Sequence, residues 1–166
     1  MRAIFVMTVS TAALLCASAS DMALAGKIKE TAAYSFAGGN DGGFPIGGLA
    51  ADAKGRMYGV TSSDGSGHNG VIFEVAKKSG AWVETPLYAF TGGADGGVPQ
   101  AGLMVDSAGN LYGTTYQGGS GYGVVFKLSP GKKNSWNYSV LWTFTGGNDG
   151  GMPSGRLTMD ANGNMK

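Results

Sequence analysis

The sequence predicts an all-β protein made of tandem repeats, each about 54 residues long and folding into about four antiparallel strands, like one blade of a propeller. Two observations predict this fold class. A glycine-rich segment at 36–45 returns at 90–99 and at 144–153, always at a spacing of 54. Alternation of apolar and polar residues, which is typical of strands, recurs inside the copies. A unit of this size cannot bury its apolar face alone, so neighbouring copies must stack.

The first element of each copy is a strand with an aromatic stripe. In the second copy Trp82, Tyr88 and Phe90 share one parity and therefore one face, because side chains alternate along a strand. The third copy repeats this pattern over 136–144. The glycine-rich segment follows each aromatic strand, and we call it the glycine loop (36–45, 90–99 and 144–153).

Three shorter strands complete the copy, at 101–106, 111–115 and 124–128. Between the first two, Gly109 supplies the positive φ that a tight hairpin turn requires. On this pattern the copies span 28–81, 82–135 and, in part, 136–166. An antiparallel solenoid or a sandwich built from the same meanders is the alternative architecture.

The N-terminus has the pattern of a secretory signal. Arg2 supplies the positive charge, residues 3–15 are apolar, and 23–25 form a small-x-small cleavage motif. We therefore expect residues 1–25 to be removed and a β-repeat domain, 26–166, to be secreted to the extracellular space or the periplasm, with no membrane span left. A retained anchor is disfavoured because the apolar run is shorter than the ~20 residues that cross a bilayer. Lipid attachment at Cys16 is disfavoured because the bulky Leu15 precedes it.

Cysteine and charge content exclude several classes of site. Cys16 is the only cysteine, so the expected mature domain has no disulfide, thiol nucleophile or cysteine metal site. The formal net charge is +1, and the two lysine pairs lie in corresponding turns, which indicates no nucleic-acid surface. The 31 glycines suit short strands joined by tight turns.

The recurring residues, taken in order, resemble a known family. Their pattern is aromatic-x-Phe-Thr-Gly-Gly-x-Asp-Gly-Gly-x-Pro, then Gly-Leu-x-x-Asp-x-x-Gly-Asn-Leu-Tyr-Gly-Thr-Thr and Gly-Val-Val-Phe-Lys-Leu. This pattern resembles the GloVer-type tandem repeat of exported bacterial proteins over nearly all of 26–166. The resemblance implies a secreted or surface-attached, propeller-like β-repeat protein, and it brings no established activity. The sequence departs from the family in its few copies, in lacking a sorting tail, and at 54–57 of the first copy.

Asp41, Asp95 and Asp149 are the candidate metal ligands, one in each glycine loop. Calcium takes about 6–8 oxygen ligands, so one carboxylate per loop suffices only if several loops converge or carbonyl groups contribute. We expect a structural role and no cofactor, with calcium as the alternative. A second recurring set precedes the hairpin turns and is expected to accept backbone N–H bonds there: Asp52, Asp106 and Asp160.

Residues that break the repeat are the better candidates for a ligand site, because recurring residues serve the shared scaffold. Tyr116, Gln117 and Tyr122 lie in one loop of the second copy, and the first copy has no aromatic residue at the positions of the two tyrosines. Aromatic faces beside an amide suit carbohydrate stacking. His68, the only histidine, is a further candidate, with a solvated loop residue as the competing interpretation. The other polar residues outside the repeat are Asp64, Glu74 and Glu84.

The sequence thus predicts an exported β-repeat module that binds a ligand or builds surface structure, without catalytic activity of its own. A carbohydrate-active hydrolase or lyase on a propeller is one alternative, since carboxylates paired in space do not show in sequence. A truncated fragment of a longer repeat protein is another. We expect association with further copies or with missing repeats, because closed propellers have roughly 4–8 blades. We also expect a carbohydrate or cell-surface ligand.

Overall fold

The computed structural model describes residues 3–7, 31–160 and 163–166 and shows an all-β protein, as predicted. The helical elements within these ranges are single 3-10 turns at Gly39–Asp41 and Lys132–Asn134. In the same ranges, no helix is long and apolar enough to cross a membrane. The strands are β1 (Ala3–Met7), β2 (Thr31–Phe36), β3 (Gly43–Ala51), β4 (Met57–Ser63), β5 (Val71–Lys78), β6 (Ala81–Ala89), β7 (Met104–Val105), β8 (Leu111–Thr114), β9 (Val124–Pro130) and β10 (Trp136–Thr143).

Eight of these strands form two antiparallel sheets of four. Sheet 1 has the order β3-β4-β5-β6, and sheet 2 has the equivalent order β7-β8-β9-β10. The first strands of the two sheets, β3 and β7, approach closely. A Cβ added at Gly102, just before β7, would lie 2.7 Å from the carbonyl oxygen of Gly48 in β3. Meanders of four strands whose first strands lie side by side are the arrangement of propeller blades.

Each aromatic strand closes the sheet of the copy before it. β6 begins the second copy by sequence, yet it pairs with β5 from Val71↔Ala89 to Lys78↔Ala81. The cause is the turn between them, where Ser79 (φ 50°) and Gly80 (φ 85°) form a two-residue hairpin of the kind that twists with its strands. The sheets therefore span 43–89 and 104–143, out of phase with the sequence copies.

Aromatic side chains fill the space between the sheets. Tyr88 of β6 stacks on Tyr138 of β10, with ring centroids 4.1 Å apart, and Phe90 meets the edge of Phe126 at 5.3 Å. Phe90 and Phe126 are buried, so the contact is part of the core. β2 repeats this contact on the opposite face of sheet 1, where Phe36 packs on Phe73 at 4.9 Å.

β1 comes from the predicted signal and pairs antiparallel with β2, from Ala3↔Phe36 to Met7↔Thr31. It takes the place on β2 that β5 takes on β6, and both pairings carry a register shift just after the residue that pairs with the tyrosine, Tyr34 in β2 and Tyr88 in β6. Removal of 1–25 would therefore take from β2 its neighbouring strand. The predicted cleavage site at 23–26 and Cys16 lie outside the described residues.

Candidate functional site

The candidate metal ligands hold their own glycine loops. An oxygen of Asp41 accepts the backbone N–H of Ala37 at 2.9 Å and the hydroxyl of Tyr34 at 3.1 Å. Asp95 repeats both bonds, accepting the backbone N–H of Thr91 at 2.9 Å and the hydroxyl of Tyr88 at 2.9 Å. The carboxylate thereby ties the loop to the aromatic strand before it.

Thr91 and Thr145 add a side-chain bond in the second and third copies. The Thr91 hydroxyl donates to Asp95, and the Thr145 hydroxyl donates to Asp149 at 2.6 Å. Burial opposes ionisation of Asp95, but hydrogen bonds from Thr91 and Tyr88 outweigh it and hold the pKa of this carboxyl below its usual value. The hydrogen bond from Thr145 likewise lowers the pKa of Asp149.

No group of three or more His, Cys, Asp or Glu side chains placed to hold a metal ion occurs in the described part of the chain. The oxygens of Asp41, Asp95 and Asp149 that face their loops accept hydrogen bonds from them. Calcium would have to compete with these donors for the same oxygens. The structural role stays a prediction, with calcium binding as the alternative to be tested.

The second recurring carboxylate closes the hairpin between the first two strands of each sheet. Asp106 accepts the backbone N–H of Ala108 at 2.9 Å and of Asn110 at 2.8 Å, and Tyr112 donates its hydroxyl to the same side chain. Asp52 makes the same contacts in sheet 1, including a bond from Tyr58 at 3.3 Å. These aspartates are turn formers, as their position predicts.

Tyr122 contacts the glycine loop of the third copy. The Met152 N–H donates to the Tyr122 carbonyl at 2.7 Å. A Cβ at Gly146 would overlap the Tyr122 ring, and one at Gly151 would lie 2.8 Å from its Cβ. The side chain is 40% exposed, so one part of it packs on the loop and the remainder faces solvent.

Asn69 makes the corresponding contact one copy earlier. The Val98 N–H donates to the Asn69 carbonyl at 2.8 Å, and a Cβ at Gly92 would lie 2.6 Å from the Asn69 amide nitrogen. Loop 64–70 of one copy therefore docks on the glycine loop of the next. Tyr122 is the second copy's version of this contact, which is a structural role that sequence alone did not indicate.

The remaining ligand candidates contact a different glycine loop from the one that Tyr122 contacts. Gln117 pairs through its backbone with Gly97 of the second glycine loop, and the Tyr116 N–H donates to the Val98 carbonyl at 3.2 Å. His68 is exposed at φ 56°, in the loop that docks on this same glycine loop from the first copy. The candidates are thus divided between the second and third glycine loops.

Glu84 occupies a position that sequence reasoning noted but gave no role. It stands 54 residues before Tyr138, whose hydroxyl donates to the carbonyl of Asp95 at 2.5 Å. In the described structure the Oε1 atom of Glu84 is buried without a hydrogen-bond partner. Burial, together with the nearby Asp41 carboxylate, raises the pKa of Glu84 to about 7. Glu84 of β6 thus lies near the glycine loop that follows β2, as Tyr138 of β10 lies near the one that follows β6. A carboxyl group takes the place of a phenol.

Strand β10, the last strand of sheet 2, carries exposed apolar side chains. Leu87 and Tyr88 of β6 are partly buried under sheet 2. Their equivalents on β10, Leu141 and Trp142, are 42% and 54% exposed. We call this surface the β10 face (Val140, Leu141 and Trp142).

The family follows from the recurring residues described above. The sequence profile of the Gloeobacter/Verrucomicrobia repeat matches residues 19–166. The chain belongs to this family. This match confirms the GloVer-type resemblance. The residues that recur within this chain shape its glycine loops, hairpins and aromatic contacts. No curated protein matches the chain significantly, and no solved structure does so either.

Proposed function

We propose that the protein is an exported β-repeat module that associates through its blade faces and has no catalytic activity of its own. The observation that carries the proposal is the β10 face. Its Leu141 and Trp142 are exposed, whereas Leu87 and Tyr88 at the same positions of the preceding sheet are partly buried against sheet 2. A surface that the repeat covers wherever a next blade is present is built to be covered.

Burial of the apolar area of this face favours association between copies. Complete burial of a large apolar side chain contributes about 1.5–3 kcal/mol. Leu141 and Trp142 are each about half exposed, so covering both contributes about 1.5–3 kcal/mol before the cost of association. Aromatic stacking of the Tyr88–Tyr138 kind adds to this figure.

The partner that fits the β10 face is a second copy of this chain. The β10 face lies at one end of the row of sheets, while β2 already covers the face of sheet 1 at the other end. Inside the chain the equivalent β6 residues pack against the next sheet along the row. By analogy we propose that contact between copies is head to tail, with the β10 face of one copy against the β2 end of the next. A head-to-tail contact extends into a ring or a filament according to the rotation between copies.

Export is the second part of the proposal and rests on the signal pattern in residues 1–25. Cleavage would remove β1 and leave the backbone donors and acceptors of one edge of β2 unpaired. The newly open edge would lie at the end of the row that meets the next copy. Export and association are therefore linked in the proposal.

The recurring carboxylates support a structural module. Asp52, Asp95 and Asp106 accept hydrogen bonds within their own loops and from neighbouring tyrosines. Their lowered pKa values keep them ionised at neutral pH, as suits hydrogen-bond acceptors. A general acid requires the opposite shift.

Sedimentation velocity of the purified protein over a range of concentrations tests the proposal. We expect association that weakens in the Leu141→Ser/Trp142→Ser double variant and persists in Trp142→Tyr, which installs the residue of the covered face. Phe44→Asn is the matched control, because Phe44 is 61% exposed but lies outside the β10 face. A monodisperse monomer at every concentration would overturn the proposal, as would equal loss of association in Phe44→Asn.

A further inference from the structure

A cleft of about 380 Å³ opens between sheet 1 and the turn that joins β9 to β10. Arg56, Glu74 and Lys78 line the wall on sheet 1, Leu87 contributes an apolar patch, and Trp136 lies on the wall of sheet 2. Sites for small ligands have volumes of roughly 300–1,000 Å³ and combine apolar walls with a few fixed polar groups. The cleft has a volume in this range, and its lining includes both apolar and polar side chains.

The polar groups of the cleft are held in place by their neighbours. Asp52 binds the Arg56 guanidinium at 2.6 Å, and Glu74 lies 3.6 Å from the other terminal nitrogen. The Lys78 ammonium donates to the Thr85 hydroxyl at 3.1 Å. Groups that are fixed before a ligand arrives lose less conformational entropy on binding.

The cleft is electrically balanced. Its lining holds two cations, Arg56 and Lys78, and one carboxylate, Glu74. Asp52 does not line the cleft but pairs with Arg56, so the four groups together carry no net charge. The site thus offers both donors and acceptors without an excess of either charge. Such a set recognises a neutral ligand that carries several hydroxyl groups better than it recognises an anion or a cation.

Trp136 supplies an aromatic wall. It is partly buried, and its ring meets Tyr58 edge to face at 6.0 Å, which fixes its orientation. An indole ring that is fixed in this way presents an apolar surface on which the C–H groups of a sugar pack. The aromatic wall and the polar wall belong to different sheets, so the site exists only when the sheets are packed together.

The residues of the polar wall depart from the repeat in a way that the turn itself does not require. In the second copy Asn110 takes the place of Arg56 and binds Asp106 at 2.7 Å, so a short amide is enough to close this hairpin. Lys127 takes the place of Glu74 in the strand pairing. Arginine therefore does more at position 56 than hold the hairpin, because it extends into the cleft.

We propose that this cleft binds a neutral saccharide. Trp136 packs against a sugar face, Arg56 and Lys78 donate to ring or hydroxyl oxygens, and Glu74 accepts from sugar hydroxyl groups. The site differs from the one predicted around Tyr116 and Tyr122. It does not depend on association between copies.

The test is a titration of the full-length ¹⁵N-labelled protein with maltose, cellobiose, lactose and chitobiose, followed by amide and indole resonances. We expect saturable shifts of the Trp136 indole and neighbouring amides with at least one of these sugars. Arg56→Asn installs the residue of the second copy and should weaken binding at least tenfold while the melting temperature stays unchanged. Glu74→Gln should weaken binding similarly, and Tyr122→Asn, on a loop that does not line the cleft, should leave it unchanged.

Three results would overturn the proposal. The first is the absence of saturable shifts at Trp136 with all four sugars. The second is binding that Arg56→Asn and Glu74→Gln leave at the wild-type affinity. The third is a preference for an acidic disaccharide or a peptide over every neutral sugar, which would show that charge rather than hydroxyl recognition governs the cleft.

Discussion

Replacing Glu84 should change how the stability of the protein depends on pH. In the folded state its pKa is raised to about 7 from an ordinary value of 4.5, first by burial and then by the Asp41 carboxylate. A group whose folded pKa is raised binds its proton more tightly in the folded state. Its stabilising contribution is therefore complete below pH 4.5 and is lost as pH rises through about 7. Tyr34, the neighbouring phenol, has a pKa raised to about 12 and does not titrate in this window.

The size of the effect follows from the shift. A change from 4.5 to about 7 corresponds to at most about 3.4 kcal/mol, at 1.36 kcal/mol per pH unit. Glu84 is only partly buried, so solvent screening reduces this figure to about 1–2 kcal/mol. For a domain of this size the melting temperature should fall by roughly 2–8 °C between pH 4.5 and pH 7.5 on account of this group.

Two variants isolate the contribution of Glu84 from that of other titrating groups. Glu84→Gln removes the charge and retains the shape, and Glu84→Tyr installs the residue that Tyr138 provides at the next interface. Thermal unfolding followed by circular dichroism across pH 4.5–7.5 should show a wild-type deficit relative to both variants that grows with pH. A difference between wild type and Glu84→Gln that is the same at every pH would refute the reasoning.

Three further predictions concern export, metal binding and packing. N-terminal sequencing of the secreted protein should find Gly26, whereas Met1 or a lipidated cysteine would contradict the signal assignment. A chelator should leave the melting temperature within error if the glycine-loop carboxylates are structural, and a large decrease would instead indicate calcium linkage. Gly113→Ala should destabilise the fold by about 1–3 kcal/mol in denaturant unfolding, because its Cβ would lie 2.6 Å from the Phe126 ring. Gly155→Ala, with open space around it, is the control and should be nearly neutral.

The sequence predicted the features that depend on local chemistry. The 54-residue spacing indicated repeated β-units, and the positions of Asp106 and Gly109 indicated a tight hairpin, because both effects act within a few residues. The structure has this hairpin in sheet 2 and equivalents at Asp52 and Asp160. A repeat makes such predictions firmer, since each copy is an independent instance of the same pattern.

Features set by long-range packing were not predictable in the same way. A repeat has no natural starting point in sequence, so the pairing of β6 with β5 rather than with β7 was not evident. The cleft joins Arg56 to Trp136, which lie 80 positions apart and meet only because two sheets pack. Tyr122 looked free to bind a ligand because its contact is with a glycine loop, which shows no side chain to match.

The most direct test of the account is the environment of Trp142 as copies associate. The protein labelled with 5-fluorotryptophan has three ¹⁹F resonances, from Trp82, Trp136 and Trp142, and the Trp142→Tyr variant identifies the last. Raising the protein concentration should shift the Trp142 resonance and protect it from a soluble quencher, while the resonance of Trp136, which packs between the two sheets, stays in place. A Trp142 resonance that does not change between the dilute and the concentrated protein would contradict association through the β10 face.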